Sequence, residues 1–334
     1  MNEHDSDGAA VEHALDAMSV CAPEATQRAR AALEIALGGV RASAWPEVAW
    51  AFSRLTPDGF PVELTFSSLG GSTIRYVVEI AGPETSEHDR IHHAFRSYRA
   101  LAASQTAAAA REAEHVLAAM QKDRELEFGA WLGAAHSQQG DRYKIYVEIP
   151  RGATLPTMAS TLFDGEFPLP HCRPVPLMFG LQPDSGVREI YFRARGLTDA
   201  DFGFLLRRYG LSDSYRDALD LVESTWGRSG LPPAVAGFSV AASPDVSSRA
   251  VSLFAGAEVL FGSDANIRRT LLEIGRKEGW NLGLYENVSA LIQGHEGRST
   301  RHGIISWIVS NQAPVEFRIG LCPSERASRT GCSR

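Results

Sequence analysis

Five times along this chain, two short stretches of alternating apolar and polar residues flank a tight turn. The clearest case is residues 60–83, FPVELTFSSLGGSTIRYVVEIAGP. Gly70-Gly71 among small polar residues marks a hairpin, because glycine reaches the left-handed dihedrals of a tight turn without a Cβ clash. Residues 61–67 and 73–81 are its expected strands. Val62, Leu64 and Phe66 share a face with Ile74, Tyr76, Val78 and Ile80. Glu63, Thr65, Ser67, Arg75, Val77 and Glu79 take the other. That polar face is either solvated or the lining of a polar cavity, and the remaining hairpins bear on the choice.

The pattern recurs at 127–136 with 142–150 around SQQGD, at 174–181 with 187–195, at 235–242 with 249–255, and at 303–310 with 314–321. Between the hairpins lie helical patterns: 10–18, 25–37, 84–103, 106–122, 198–209, 212–226, 264–278 and 285–294, with Ser212 or Asp213 as a capping residue. Residues 45–55 are ambiguous, 156–162 suit a short helix, and 163–173 read as a loop. Identity between units is low, so the repeat is one of structure. Each strand alternates. Ile145, Val147 and Ile149 oppose Lys144, Tyr146 and Glu148. Ile190, Phe192 and Ala194 oppose Glu189, Tyr191, Arg193 and Arg195. Val315, Phe317, Ile319 and Leu321 oppose Glu316, Arg318 and Gly320. In the fourth hairpin Gly237, Ser239 and Ala241 oppose Phe238, Val240 and Ala242. The register of 303–310 stays open: Ile305, Trp307 and Val309 compete with Ile304, Ser306 and Ile308.

The fold class is therefore α+β, with antiparallel strands inside each hairpin. For a single hairpin, a solvated polar face is the ordinary arrangement. Ten strands are near the limit at which an open sheet curls or closes, and closure removes exposed edges. A closed ten-stranded barrel with helices outside turns the polar face into a lumen too wide for side chains to fill. Residues 10–323 form this single domain, with residues 1–9 and 324–334 expected to be disordered.

Composition narrows the function. A net charge of -7 argues against general affinity for nucleic acid or anionic membrane. No apolar run is long enough to span a bilayer. The acidic N-terminus has no signal-peptide core, which points to the cytoplasm. Cys21, Cys172, Cys322 and Cys332 lack metal or disulfide-framework spacing. The chain has no GxSxG and no HExxH, and no GK[ST] follows Gly70-Gly71. The expected lumen instead gathers Arg75, Lys144, Arg193, Arg195 and Arg318 with tyrosines 146 and 191 and several carboxylates. Guanidinium and ammonium groups hold a leaving diphosphate. Aromatic faces stabilise a carbocation and shield it from water, and a carboxylate accepts the proton of an attacking nucleophile.

These features resemble the ABBA prenyltransferases, whose αββα units close a ten-stranded antiparallel barrel around the active site. The likeness spans about residues 10–323 and is nearest to the dimethylallyltryptophan synthase type and to the cyanobactin peptide prenyltransferases. It implies Glu63, on the first strand, as the catalytic base and Arg75, a dozen residues on, as a diphosphate ligand. Lys144-Ile145-Tyr146 matches the family's K-x-Y, giving a diphosphate ligand and a carbocation shield. The family's next strand reads R-x-K-x-Y. Here Tyr191 matches as a shield, but Val187 and Glu189 replace the two cations, and Arg193 or Arg195 is expected to compensate. Phe254 substitutes for a tyrosine of the fourth hairpin, and Trp307 supplies a last aromatic wall if its register points inward. Glu79, Glu148 and Glu316 are the expected acceptor-binding carboxylates. No DDxxD cluster is present and the sequence demands no metal, although Mg2+ bridges the diphosphate in some branches.

The resemblance implies transfer of a dimethylallyl, or geranyl, group from its diphosphate to an aromatic or nitrogen nucleophile of an amino acid, peptide or small natural product. An acidic mouth suits a cationic or N–H-bearing acceptor. The alternative is a non-catalytic barrel that binds a small molecule or peptide.

Overall fold

The computed structural model describes residues 3–102, 107–159, 162, 169–292 and 301–324. Ten strands form five hairpins: β1 (Val62–Ser67) with β2 (Ile74–Val78), β3 (Ala130–Ser137) with β4 (Gly140–Glu148), β5 (Val175–Gln182) with β6 (Val187–Arg193), β7 (Val235–Ala242) with β8 (Arg249–Gly256), and β9 (His302–Ser310) with β10 (Glu316–Leu321). Consecutive strands pair antiparallel, and β1 returns to β10 through Leu64↔Leu321, Thr65↔Gly320, Phe66↔Ile319 and Ser67↔Arg318. The sheet is thus a closed barrel, as the alternation of ten strands predicts. All five hairpin turns fall at one end, and the chain leaves for its helices at the other.

The outer face of the barrel is apolar and buried under the helices. Val62, Leu64, Phe66, Ile145, Val147, Phe192 and Val240 are at most 5% exposed. Around them lie α1 (Glu3–Ser19), α2 (Pro23–Ala36), α5 (Glu87–Leu101), α6 (Ala107–Gln121), α7 (Asp199–Arg208), α8 (Tyr215–Trp226), α10 (Asp264–Glu278) and α11 (Gly283–Ser289), with the single turns α3 (Gly38–Arg41), α4 (Pro46–Ala49) and α9 (Ala257–Phe261). Of these, α2, α5, α8 and α9 lie directly on the strands, while α1 packs on α2 and α6 on α5. Helix starts follow local chemistry. Pro23 opens α2, Ser86 caps α5, and Thr198 with Asp201 forms a reciprocal capping box on α7.

Four sequence expectations shift. The first helix begins at Glu3 rather than at residue 10. Ala10, Val11, Ala14, Leu15 and Met18 are buried, and extending a helix from an anchored turn is easier than starting one. The second hairpin turns on Gln138-Gln139 alone, since Ser137 pairs with Gly140. Its strands therefore run further than 136 and 142. The 264–278 helix falls as expected, but 285–294 is displaced to Gly283–Ser289 followed by a 3-10 turn at Ala290–Ile292. In the expected helix at 156–162, Thr157–Ala159 forms a single 3-10 turn. The tail at 325–334 lies outside the described residues.

The register of β9 is settled by Trp307. Its ring is fully buried on the outer face, and its indole N–H donates to Thr225 Oγ1 of α8 at 2.8 Å. A buried indole N–H needs such a partner. Ile304, Ser306 and Ile308 consequently face inward. Trp307 is outside the lumen, contrary to its expected place as an aromatic wall.

Candidate active site in the barrel lumen

The lumen is a cavity of about 360 Å³, within the size range of small-molecule sites. Its charged wall residues are Glu63, Arg75, Arg142, Lys144, Glu189 and Arg318, and its aromatic ones include Tyr146, Tyr191 and Phe254. All sit at inward positions of their strands, so the period-two alternation of each strand delivers them.

The cations differ in what holds them. Among the described residues Arg75 makes no ion pair, and its pKa is pushed down to about 10 by burial, helped by the neighbouring charges of Arg318 and Arg142. Arg142 stands on β4 across Ala135 from Arg75 and is exposed toward the turn end. Lys144 is paired with Glu189 and donates to the Tyr191 hydroxyl at 2.9 Å. Burial opposes its charge, but Glu189 more than offsets this and holds its pKa above the ordinary lysine value. Glu189 also accepts from the Ser239 hydroxyl. Burial again works against its charge, and Lys144 outweighs it, so its pKa lies below the carboxylate range. Arg318 is clamped in a two-point pair with Glu316, at 2.7 and 2.8 Å.

The aromatic side chains form one wall. Tyr146 and Tyr191 have ring centroids 6.0 Å apart, and Phe254 follows at 6.5 Å from Tyr191. The Lys144 ammonium lies 4.8 Å from the Tyr146 ring centroid and 5.2 Å from that of Tyr191. The cage thus already faces a positive charge, which aromatic quadrupoles favour. Small residues give it room: a Cβ on Gly133 would lie 2.7 Å from the Tyr146 ring.

Glu63 stands apart from the cations, toward the helix end of β1. The residue is half-buried, with its carboxyl deep within the barrel. Burial pushes its pKa up to about 7, against a hydrogen bond from the Ile304 backbone N–H. Near neutral pH it therefore exists in both protonation states, a condition that suits proton transfer.

Of the expected site residues, the structure brings Glu63, Arg75, Lys144, Tyr146, Tyr191, Phe254 and Arg318 into one cavity. It does not bring the others. Arg193 and Arg195 are exposed and lie outside the lumen wall, because β6 ends at Arg193. Arg142 stands in the lumen instead, beside the expected Arg318. The carboxylates expected at the acceptor have structural partners. Glu79 is 1% exposed and pairs with Arg90 at 2.6 Å while accepting from Ser53 and from the Trp131 indole. Glu148 accepts the backbone N–H groups of Glu127, Phe128 and Gly129 at 2.7–2.9 Å and so fastens the entrance to β3. Glu316 orients Arg318 and accepts from Ser67 Oγ at 2.6 Å. Arg318 was visible in the alternation of its strand. Arg142 shares the parity of Lys144 and Tyr146, but the misplaced turn put it at the strand's edge.

Among the described residues no cluster of three or more His, Cys, Asp or Glu side chains could hold a metal ion, and no helix is long and apolar enough to cross a membrane.

No family model matches the chain, and no curated protein matches it in sequence. Solved structures do match in fold. The prenyltransferase PriB in its apo form superposes with a TM-score of 0.67 at 15% identity, over 97% of this chain and 97% of that one. The 5-dimethylallyltryptophan synthase from Streptomyces coelicolor gives 0.67 at 14% identity, over 96% and 98%. The 6-dimethylallyltryptophan synthase from Micromonospora olivasterospora, solved in complex with DMASPP and Trp, gives 0.66 at 14% identity, over 95% and 97%. The architecture is the ABBA barrel that the sequence resemblance implied.

Proposed function

We propose that the protein is a prenyltransferase that moves a dimethylallyl group from its diphosphate to an aromatic or nitrogen nucleophile inside the barrel. The carrying observation is the lumen itself. Cations with an arginine that makes no ion pair among the described residues, an aromatic cage and a carboxyl of raised pKa occupy one cavity. The ligands bound in its fold neighbours, a dimethylallyl diphosphate analogue and tryptophan, agree with those surfaces.

In this reading Arg75, Arg142 and Arg318 receive the diphosphate, and Lys144 completes the cluster. The allylic C–O bond breaks with its electron pair leaving on the diphosphate, where the guanidinium groups stabilise the developing charge. The dimethylallyl cation faces Tyr146, Tyr191 and Phe254, which stabilise it and keep water away. The nucleophile attacks that cation from the Glu63 side, the new bond to the prenyl carbon forms, and Glu63 takes the proton released. Geranyl diphosphate is the second donor to try, since chain length depends on cavity depth.

The test is incubation with dimethylallyl or geranyl diphosphate and a panel of tryptophan, tyrosine, arginine and cyclic-peptide acceptors. The expected result is a mass gain of one prenyl unit on at least one acceptor. No product from any pairing refutes the reading.

A further inference from the structure

β9 and β10 do not pair evenly beneath Glu63. Ile305 faces Ile319 and His302 faces Leu321, so Gly303 and Ile304 together oppose the single residue Gly320. This is a β-bulge, a device that re-aims groups beside active sites. Here it lies directly under the Glu63 carboxyl. A Cβ on Gly320 would fall far inside van der Waals contact of Glu63 Oε1, and one on Gly303 would lie 2.7 Å from the same atom. The Ile304 N–H, in the bulge, is the donor turned to that carboxylate, and it counters the effect of burial on the carboxyl. Neither glycine has a positive φ. The backbone at 303 and 320 is open to any residue, so conformation does not call for glycine there. Occupied space does.

We infer that Gly303, Ile304 and Gly320 form a seat that positions Glu63: two glycines vacate the volume its carboxyl fills, and one backbone N–H fixes its direction. This rests on the proposed role of Glu63 as proton acceptor. Gly303 and Gly320 are positioning residues and touch no reacting atom. Any side chain at 320 must push the carboxyl off its N–H donor and toward the lumen axis, where the acceptor would stand. The cation cluster on the other side of the cavity is untouched.

The test compares Gly320→Ala, Gly303→Ala, Glu63→Asp and the double variant Glu63→Asp with Gly320→Ala. Gly320→Ala is expected to lower kcat about 100-fold, the scale of general-base catalysis, with the KM for dimethylallyl diphosphate and the calorimetric affinity for inorganic diphosphate unchanged. Gly303→Ala should have a smaller effect of the same kind. Aspartate is one methylene shorter, so Glu63→Asp should be damaging alone yet raise kcat about tenfold in the Gly320→Ala background. A merely destabilised barrel would show no such rescue. Wild-type kcat in Gly320→Ala, or no rescue by aspartate, overturns the seat. If Gly320→Ala does not fold, the same kcat loss and aspartate rescue are read in Gly303→Ala. If the wild-type protein transfers no prenyl group, the functional reading fails, and the seat is still read by carbon-13 NMR titration of the Glu63 carboxyl. Its titration midpoint is expected to move between wild type and Gly320→Ala, and an unmoved midpoint refutes the seat.

Discussion

Arg75 and Lys144 both bring positive charge into the lumen, but their surroundings assign them different consequences. Arg75 has the like charges of Arg318 and Arg142 and the opposite charge of Glu316 for neighbours, and no ion pair among the described residues. Arg75→Ala should leave the melting temperature unchanged, since it removes Arg–Arg repulsion together with attraction to Glu316, and weaken calorimetric binding of inorganic diphosphate about tenfold or more, the scale of a charged hydrogen bond. Lys144→Ala should abolish turnover and also destabilise the fold, by about 3 kcal/mol, because it strands Glu189 as a buried unpaired carboxylate. Urea unfolding of the two variants side by side separates these outcomes. Glu63 adds a pH dependence. Its folded pKa is about 7 against an ordinary value of 4.5. Prenyl transfer should therefore rise with pH through about 7 as the base ionises, and Glu63→Gln should lose that limb of the kcat profile. For stability the sign is opposite. The native state keeps the proton longer than the unfolded chain, so this group's contribution falls as pH rises from about 4.5 to about 7. Unfolding of Glu63→Gln should show a shallower decline across that window.

At the scale of single elements, several polar residues that alternation places inward are strand-end fasteners. Glu148 closes β4 by gathering three backbone N–H groups at the start of β3. Glu148→Ala leaves the buried Gly129 N–H without a partner, at a cost of about 1–3 kcal/mol before relaxation, and frees the half-buried donors of Glu127 and Phe128. A large drop in the denaturant midpoint, with the diphosphate affinity retained in the folded protein, is the expected outcome. Trp307 makes the complementary case. Trp307→Phe should lower stability by about 1 kcal/mol through loss of the Thr225 hydrogen bond and leave transfer kinetics unchanged. A kinetic effect without a stability effect would place Trp307 at the lumen after all. Glu148 looks functional in the sequence because alternation gives the side of a strand but not the neighbour across it. Trp307 does because both faces of 303–310 carry large apolar residues, so alternation leaves its side open.

For the molecule as a whole, closure is the decisive event. Pairing of β1 with β10 leaves the barrel without an edge. Amide hydrogen exchange should accordingly be as slow in β1 and β10 as in β5 and β6, where an open sheet would have frayed first at its outer strands. Closure also decides what the polar face means. The same Glu63, Arg75, Lys144, Tyr146 and Tyr191 on an open sheet would be a solvated surface.

The sequence by itself determined the strands, their faces, the hairpins and most of the helices, because side-chain periodicity and turn chemistry are local. It also supplied Glu63, Arg75, Lys144, Tyr146, Tyr191, Phe254 and Arg318 of the lumen, since parity along a strand is a local property. The tertiary structure alone decided which inward positions remain free for a ligand and which are consumed by internal partners. Glu79 meets Arg90, Glu148 meets three backbone amides, Glu189 meets Lys144, and Glu316 meets Arg318, the amides and Lys144 from other hairpin strands or loops well separated in the chain. Charge pairing acts between groups close in space, and a closed barrel brings them there by register and tilt, which periodicity does not encode.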